Sequence, residues 1–540
     1  MDNIRLVLFM ALSFVVLLLW QAWQQDYRTP PAAPTQTIAK ADAAPPSPND
    51  VPQAVPAAEP TLAPEVQPQA AARTVRVRTD VLELQISETG ATVVRAALRE
   101  YPVSRSDPTP LTLLDDGAAT YFTLQSGLLA DHVELPNHLS QYAAAQPEYT
   151  LADGADRLEA RLRWQGPAAT VEKIFELQRG SYLVNVRYEI QNGGTTPINV
   201  RPYAQLQRHP PAQGSMLLAS AFTGIAYSLP GTRYQKVGFD DLAKEPIDFR
   251  SANAWVGMVQ HYFVTALVPP AQAESSYYSK VLPNERYIAG LYLPAATIPP
   301  GGKSSATWAA YAGPKLQDDL AAIAPGLDLV VDYGVLWFIA KPLFHILTWL
   351  HAITQNWGWS IIFLTIFVKG VFFYPSAVGY KSMAKMRKVA PRLQQIRENF
   401  PDDRARQQQA MMEIYKAEQI NPLSGCLPIL IQIPVFLALY WVLLESVELR
   451  QAPFLGWLRD LSTHDPYFVL PLVMGVTMFV QQRLNPPAPD PVQQRVMQIL
   501  PLVFTVMMAW FPAGLVLYWT VSNVLSIAQQ WVITRKIAPG

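Results

Sequence analysis

Hydrophobic positions along this chain fall into three textures. The first is the long unbroken run. Leu6–Trp23, Gly358–Val378, Leu427–Val447, Tyr467–Gln482, Val496–Phe511 and Ala513–Ile533 are predominantly apolar and approach the ~20 residues that a bilayer-spanning helix needs. They predict an N-terminal anchor over 1–23 and five further spans, over 356–378, 427–447, 467–482, 496–511 and 513–533. The run at 467–482 is short and carries Pro471. The last two runs meet at Trp510-Phe511-Pro512-Ala513-Gly514, where the Pro-Gly junction predicts a tight turn between two helices.

The second texture is strict alternation, concentrated between 74 and 313. Leu158, Ala160, Leu162 and Trp164 share one face, with Arg157, Glu159, Arg161 and Arg163 on the other. Tyr182, Val184, Val186, Tyr188 and Ile190 repeat the pattern, and Asn192-Gly193-Gly194 then gives a turn signal. Many such strands predict a large antiparallel β-sandwich over 74–313. The segment 24–73 before it is a linker: from 28 it is Pro, Ala and Gln with little else, a composition that cannot bury a core and favours an extended tether.

The third texture has helical spacing. In Tyr333–Leu350, Trp337, Phe338, Leu343, Phe344, Leu347 and Leu350 mix with Lys341 and His345. This predicts an amphipathic helix over 333–352 lying on the outer membrane interface; a buried helix at the base of the sandwich fits the same spacing. Over 381–420, Met386, Val389, Leu393, Ile396 and Phe400 line one helix face, Pro401-Asp402-Asp403 makes a turn with Asp402 or Asp403 as N-cap, and Met411, Ile414 and Ala417 supply a facing stripe. A helical hairpin is expected. Its Met383, Met386, Met411 and Met412, with the basic Lys385 and Arg387, either zip the pair together or offer an adaptable first contact for a partner. The fold class is thus a polytopic α-helical membrane protein, an anchor plus a five-helix core, carrying an all-β outer domain.

Charge orients this layout. Lys and Arg total 42, as do Asp and Glu, so no global field points to nucleic acid. The balance conceals asymmetry. Segment 379–425 holds Lys381, Lys385, Arg387, Lys388, Arg392, Arg397, Arg404, Arg406 and Lys416, whereas 448–466 offers only Arg450 and Arg459. The positive-inside rule makes the first cytoplasmic. It follows that both termini and 483–495 are inside and 24–355 is outside. Met1–Trp23 reads as an uncleaved anchor, because its apolar run ends in the interfacial pair Trp20 and Trp23 with no A-x-A site; a cleaved signal is the other reading.

Enzyme signatures are missing from the outer domain. The seven histidines show no metal-ligand spacing. Gly302-Lys303-Ser304 copies the end of a phosphate-binding loop, but Thr297 stands where its first Gly is needed. Cys426, the single cysteine, lies at a membrane edge, so the outer domain folds without disulfides. No cofactor and no metal are expected.

Within the spans, Lys369 is the anomaly. It sits near the middle of Gly358–Val378, where a cation costs about 2.5–3.5 kcal/mol on insertion scales and marks a functional site. The later spans have no Asp or Glu near mid-depth; Glu445 and Glu448 lie at one end of theirs. Thr365, Gln432, Gln481, Gln482, Thr505, Thr520, Ser522 and Asn523 lie from mid-membrane toward the cytoplasm. A wet cavity open to the cytoplasm satisfies them together, and ordinary interhelical hydrogen bonding is the alternative.

The segments MDNIRLVL, VDYGVLWFIAKPLF, YKSMAKMRKVAPRLQQIRE, YKAEQINPLSGCLPILIQIPVFLALYWVL, SVELRQAPF, DPYFVLPLVMGVTMF and WFPAGLVLYWTVSN resemble the YidC membrane protein insertases of Gram-negative bacteria, over almost the whole chain. The resemblance implies an insertase that works alone and beside the Sec translocon, a periplasmic β-super-sandwich, and a five-helix core around a hydrophilic groove in the inner membrane. It places Lys369 where the family usually has Arg to meet acidic substrate residues; Lys keeps the charge and loses the bidentate fork. Thr365, Tyr518 and Trp519 fall where the family contacts the inserting helix, Trp519 in place of the more usual Tyr. With Gln432, Ser522 and Asn523 these form the expected groove. Expected partners are nascent hydrophobic membrane-protein substrates, Sec components and the bilayer. Ribosome docking through a long basic tail has little support, because the chain ends soon after Arg535-Lys536. No covalent chemistry is implied. A polytopic transporter, or an anchored periplasmic carbohydrate-binding protein, are the competing readings.

Overall fold

The alternation at Arg157–Trp164 becomes the strand Arg157–Gln165, in which Ala160, Leu162 and Trp164 are buried and the charged residues are exposed. The strand Leu183–Asn192 likewise buries Val184, Val186, Tyr188 and Ile190. These elements belong to a computed structural model that describes residues 73–211, 222–229, 231, 234–282, 285–400, 403–420, 427–485 and 491–537. The expected anchor over 1–23, almost all of the linker 24–73 and Cys426 lie outside the described residues. The chain divides into two units, the first ending at Val331 and the second running from Asp332.

The first unit is a β-sandwich. Its 9-stranded sheet runs Gln235–Val237, Gly224–Tyr227, Val256–Val259, Phe263–Val268, Lys303–Pro314, Leu183–Asn192, Ala169–Gln178, Arg157–Gln165 and Ala143–Ala144. At its centre Val186 pairs with Phe175 on one side and Trp308 on the other. The 11-stranded sheet is built around Ile198–Arg208, flanked by Phe122–Ala130 and Arg286–Tyr292. Its strands continue through Ser275–Leu282 to Asp248–Ser251 on one side, and through Thr92–Pro102 and Leu82–Ser87 on the other.

The two sheets meet through their inner faces. Tyr188 and Ser126 share a hydrogen bond of 2.8 Å between them. Each fully buried Val, Leu or Ile there contributes roughly 1.5–3 kcal/mol. Lys173 is also inside, 1% exposed, and donates to the carbonyls of Gly90 at 3.0 Å and Ala91 at 2.8 Å. The rings of Tyr142, Phe175 and Tyr188 surround its Nζ. The Gly302-Lys303 turn leads into a strand rather than a helix, so it lacks the context of a phosphate-binding loop. A short helix, α1 (Gln317–Ile323), ends this unit.

The second unit is helical: α2 (Trp337–Thr354), α3 (Trp357–Val371), α4 (Phe373–Asn399), α5 (Arg404–Ala417), α6 (Leu427–Glu445), α7 (Val469–Leu484), α8 (Pro491–Met508) and α9 (Ala513–Ile537). Helix α9 is the hub, packing against α3, α4, α6 and α7. Two close approaches tighten the set. A Cβ on Gly358 would meet the Phe454 ring, and one on Gly475 would meet the Thr505 hydroxyl.

Gly358–Val378, expected as one span, is broken. The chain bends by 68° between α3 and α4. Pro375 explains the break: it has no N–H for the Val371 carbonyl, and its ring clashes with that carbonyl in a continuous helix. Lys369 therefore stands in the last turn of α3, not at the middle of a straight span. Pro471 behaves differently. It is the third residue of α7, in the first turn, where a missing N–H costs nothing.

Helix α2 buries Ala340, Leu343, Phe344 and Leu347 and packs on α3 and α6, so that face makes helix–helix contacts. Gly334–Thr354, expected at the interface, is long and apolar enough to cross a bilayer. So are Trp357–Val371 and Phe373–Ile396 taken together across their bend, whereas Ile431–Glu445, Val469–Leu484 and Gln494–Met508 are shorter apolar helices.

Candidate functional site: a polar cluster around Lys369

Three helices bring polar groups to one point. The Lys369 side chain leaves α3 half-buried and donates to Gln432 Oε1 on α6 at 3.0 Å and to Ser526 Oγ on α9 at 2.7 Å. Gln432 Nε2 in turn donates to Ser522 Oγ at 2.6 Å. Tyr380, on α4, shares a hydrogen bond with the same Ser526 hydroxyl. Ser522 and Ser526 lie four residues apart on α9, one turn along a single face.

The ammonium is therefore held by neutral partners. Among the described residues no carboxylate pairs with it. Glu445, at the far end of α6, is 13 positions from Gln432, about 20 Å along a helix at ~1.5 Å per residue. Lys has three N–H donors, and two are engaged here. A buried cation without an opposite charge is costly, so the site is primed to gain from an incoming carboxylate.

The remaining expected groove residues divide. Thr365 is fully buried and its hydroxyl closes on its own helix, donating to the Ile361 carbonyl at 2.6 Å. Asn523 points elsewhere on α9 and donates to Thr477 Oγ1 on α7 at 3.1 Å. Tyr518 is 1% exposed, a packing residue rather than a presented surface. Trp519 is half-buried and makes edge contact with Phe436, ring centres 4.4 Å apart, beside Phe504. Ser526 and Tyr380 were not among the expected groove residues. Spacing held the signal for Ser526: it repeats Ser522 one turn later. Tyr380 had no comparable signal, because it follows the break after α3.

The hairpin also sorts its candidates. Val389, Leu393, Tyr415 and Ile420 form its core, with Met386 and Met411 against them. Met383 packs on Ala377, Tyr380 and Ile533. Asp403 is the N-cap of α5, accepting from the Arg406 amide, while Pro401 and Asp402 lie outside the described residues. Ala417, expected in the facing stripe, is exposed, because the register places Tyr415 inward instead. Lys385, Arg387 and Met412 are exposed.

Two family models match the chain: the YidC periplasmic domain over residues 74–346 and the 60Kd inner membrane protein over residues 349–539. The membrane protein insertase YidC of Methylococcus capsulatus is 48% identical over 543 residues, covering 99% of each chain. That of Nitrosococcus oceani is 46% identical over 543 residues, again covering 99% of each. The crystal structure of an active YidC insertase with its first transmembrane domain resolved covers 85% of this chain and 92% of its own, at 16% identity and a TM-score of 0.39. The full-length sequence relatives, not that superposition, fix the family. With a β-sandwich of the periplasmic type joined to a helical region, and relatives matched from end to end, this chain belongs to the YidC family of inner-membrane membrane protein insertases.

Proposed function

We infer that the Lys369 cluster is the point at which this insertase receives the hydrophilic segment of a nascent membrane protein. The observation that carries this reading is the set of neutral partners around Lys369, which leaves the charge to be met by the substrate. A short polar segment enters from the cytoplasmic side between α3, α6 and α9. Lys369 attracts its carboxylates, and Gln432, Ser522 and Ser526 replace lost water contacts. The substrate's apolar span then passes along the outer faces of α6 and α8 into lipid. Val496, Ile499, Leu502, Val503 and Val506 of α8 are exposed, and burial at ~25 cal/mol per Å² supplies the drive. Trp519, at the edge of the cluster, offers a contact for the passing helix; Thr365 and Tyr518 act by packing, and Asn523 ties α9 to α7.

The same reading sets the topology: six spans, both termini and the hairpin 381–420 in the cytoplasm, and the sandwich over 74–313 in the periplasm. Lys385, Arg387 and Met412 on the hairpin give a first contact for the nascent chain. Met386 and Met411 hold that hairpin in shape, and Met383 packs its start against Ile533 of α9. Sec components are partners for larger substrates. The proposed work involves binding and transfer without covalent catalysis.

Reconstitution tests the reading. Liposomes containing only this protein should insert a short acidic-tailed membrane protein, and Lys369→Ala liposomes should lose most of that activity. Solute flux with no insertion would instead identify a transporter. Insertion by empty liposomes at the same rate would remove the claim.

A further inference from the structure

A second polar site lies in the sandwich, far in sequence from the Lys369 cluster and independent of it. On strand Ile198–Arg208, Asn199, Arg201, Tyr203, Gln205 and Gln207 alternate onto the face of the 11-stranded sheet that points away from the other sheet, opposite the core residues Val200, Ala204 and Leu206. That face is polar along its length. Gln125 donates to Gln207 Oε1 at 2.9 Å, Gln205 donates to Gln125 Oε1 at 2.7 Å, and the Tyr278 hydroxyl donates to Gln205 Oε1 at 2.7 Å. Tyr278 and Tyr292 then lie ring to ring, 4.6 Å between centres. Beyond them the face opens into a pocket of about 460 Å³ walled by Asp131, Asn199, Arg201, Arg250, Glu274 and Ser276.

The wall is pre-arranged. Arg201 lies 4.7 Å from the centre of the Tyr292 ring and donates to Ser276 Oγ at 3.1 Å. Asn199 donates to Asp131 Oδ2 at 3.3 Å. The lining holds two guanidinium groups and two carboxylates, so it carries no net charge and does not select an anion. It offers donors and acceptors together, which suits a ligand whose every group both donates and accepts. Hydroxyls do so. A peptide recognised through its backbone adds to a sheet edge; Asn199, Arg201 and Ser276 stand instead on strands paired on both sides, and Arg250 alone comes from the edge strand Asp248–Ser251. The volume is within the range of small-ligand pockets.

We propose that this pocket binds a short neutral oligosaccharide, its hydroxyls bridged between Arg201, Asn199, Glu274 and Asp131. The site has no role in the transfer step; it gives the outer domain a glycan-binding function of its own.

The test uses the full-length protein in an amine-oxide detergent, whose headgroup carries no sugar. Maltotriose and triacetylchitotriose are titrated and followed by calorimetry and saturation-transfer NMR, with tetraglycine and inorganic phosphate as comparators. At least one trisaccharide should bind saturably. Arg201→Ala should weaken it about tenfold or more, the loss of one or two charge-assisted hydrogen bonds. Asn199→Trp, which fills the pocket from an exposed position, should abolish it, with strand-amide protection of Ile198–Arg208 unchanged in both variants. Failure of both trisaccharides to bind overturns the proposal. So does binding that neither variant alters, or binding of tetraglycine or phosphate in their place.

Discussion

Lys369 Nζ and Ser526 Oγ lie 2.7 Å apart although 157 positions separate them in the chain. That contact ties the last turn of α3 to α9, and through Tyr380 it reaches the start of the hairpin. The ammonium is positioned by a hydroxyl, which orients it without neutralising it. Position and charge should therefore separate in mutants.

Lys369→Arg should retain most insertion, because the charge survives. Lys369→Ala should fail mainly on substrates with acidic translocated segments, on the order of tenfold, which is ~1.4 kcal/mol of lost attraction. Lys369→Glu should fail more severely through like-charge repulsion. Ser526→Ala should cost only a few-fold, about the ~0.5–1 kcal/mol of one ordinary hydrogen bond, because Gln432 still holds the ammonium, and Ser526→Thr should restore it. The decisive comparison is one substrate and its Asp/Glu→Asn/Gln version on wild type and Lys369→Ala. Equal loss for both would show that charge pairing is not the role of Lys369.

Water access to the cluster gives a second test. A cysteine replacing Gln432 should react with a soluble thiol reagent added from the cytoplasmic side at least about tenfold faster than one replacing Phe363, which is exposed on an apolar face of α3. The fully buried Thr365 and Ser522 should react more slowly than Gln432. Equal rates at Gln432 and Phe363 would argue against a hydrated groove.

How far these residues were legible in sequence depended on whether the signal was local. Alternation fixed the inward set at Tyr182–Ile190, because burial and polarity read directly off a period of two. Pairing order did not, since Leu183–Asn192 lies beside Lys303–Pro314, more than a hundred residues later. At Lys369 the apolar run was correct while the helix was not: hydrophobicity continues through Phe372, and only Pro375 marks the bend. Asn523 was grouped with Ser522 by adjacency, yet neighbouring residues on a helix diverge by about 100°, and Asn523 meets Thr477 instead.

The hairpin separates packing from recognition. Met386→Leu and Met411→Leu keep core volume and should cost less than about 1.5 kcal/mol of local stability with normal insertion. The same positions changed to Ala should cost ~2–5 kcal/mol if fully buried, and less here because both are only partly so. Combined charge reversal of the exposed Lys385 and Arg387, and deletion of 383–418, should impair insertion more. These outcomes are read in liposome insertion at matched protein levels. A strong insertion defect from Met386→Leu alone would instead show that methionine itself is recognised.

Removing much of 74–310 while keeping Tyr333–Leu350 should leave insertion within about two- to threefold of wild type, because the proposed transfer path uses only α3, α6, α8 and α9 and a factor of that size is under ~1 kcal/mol. Loss of all insertion by a stably expressed deletion would make the sandwich part of the transfer machinery.

Lys173 gives a prediction about the stability of the sandwich itself. Burial pushes its amine well below the ordinary lysine range, while the unfolded side chain titrates near ~10.4. Between those two values the unfolded state binds the proton and the folded state does not, so stability rises with pH through that window. The slope approaches about 1.4 kcal/mol per pH unit for one proton. Above the unfolded value the contribution is complete, and below the folded value it is absent. Lys173→Met removes the titrating group. It also strands the carbonyls of Gly90 and Ala91, so the variant should be less stable throughout, by roughly 1–3 kcal/mol per unsatisfied group. Its pH slope should nevertheless be flatter than that of wild type. Urea titrations of the full chain from about pH 6 to about pH 9, read by pulse proteolysis within Arg157–Asn192, measure both slopes. Parallel slopes would show that Lys173 holds the same protonation state folded and unfolded, and that its three aromatic neighbours and carbonyl acceptors stabilise the ammonium inside the sandwich.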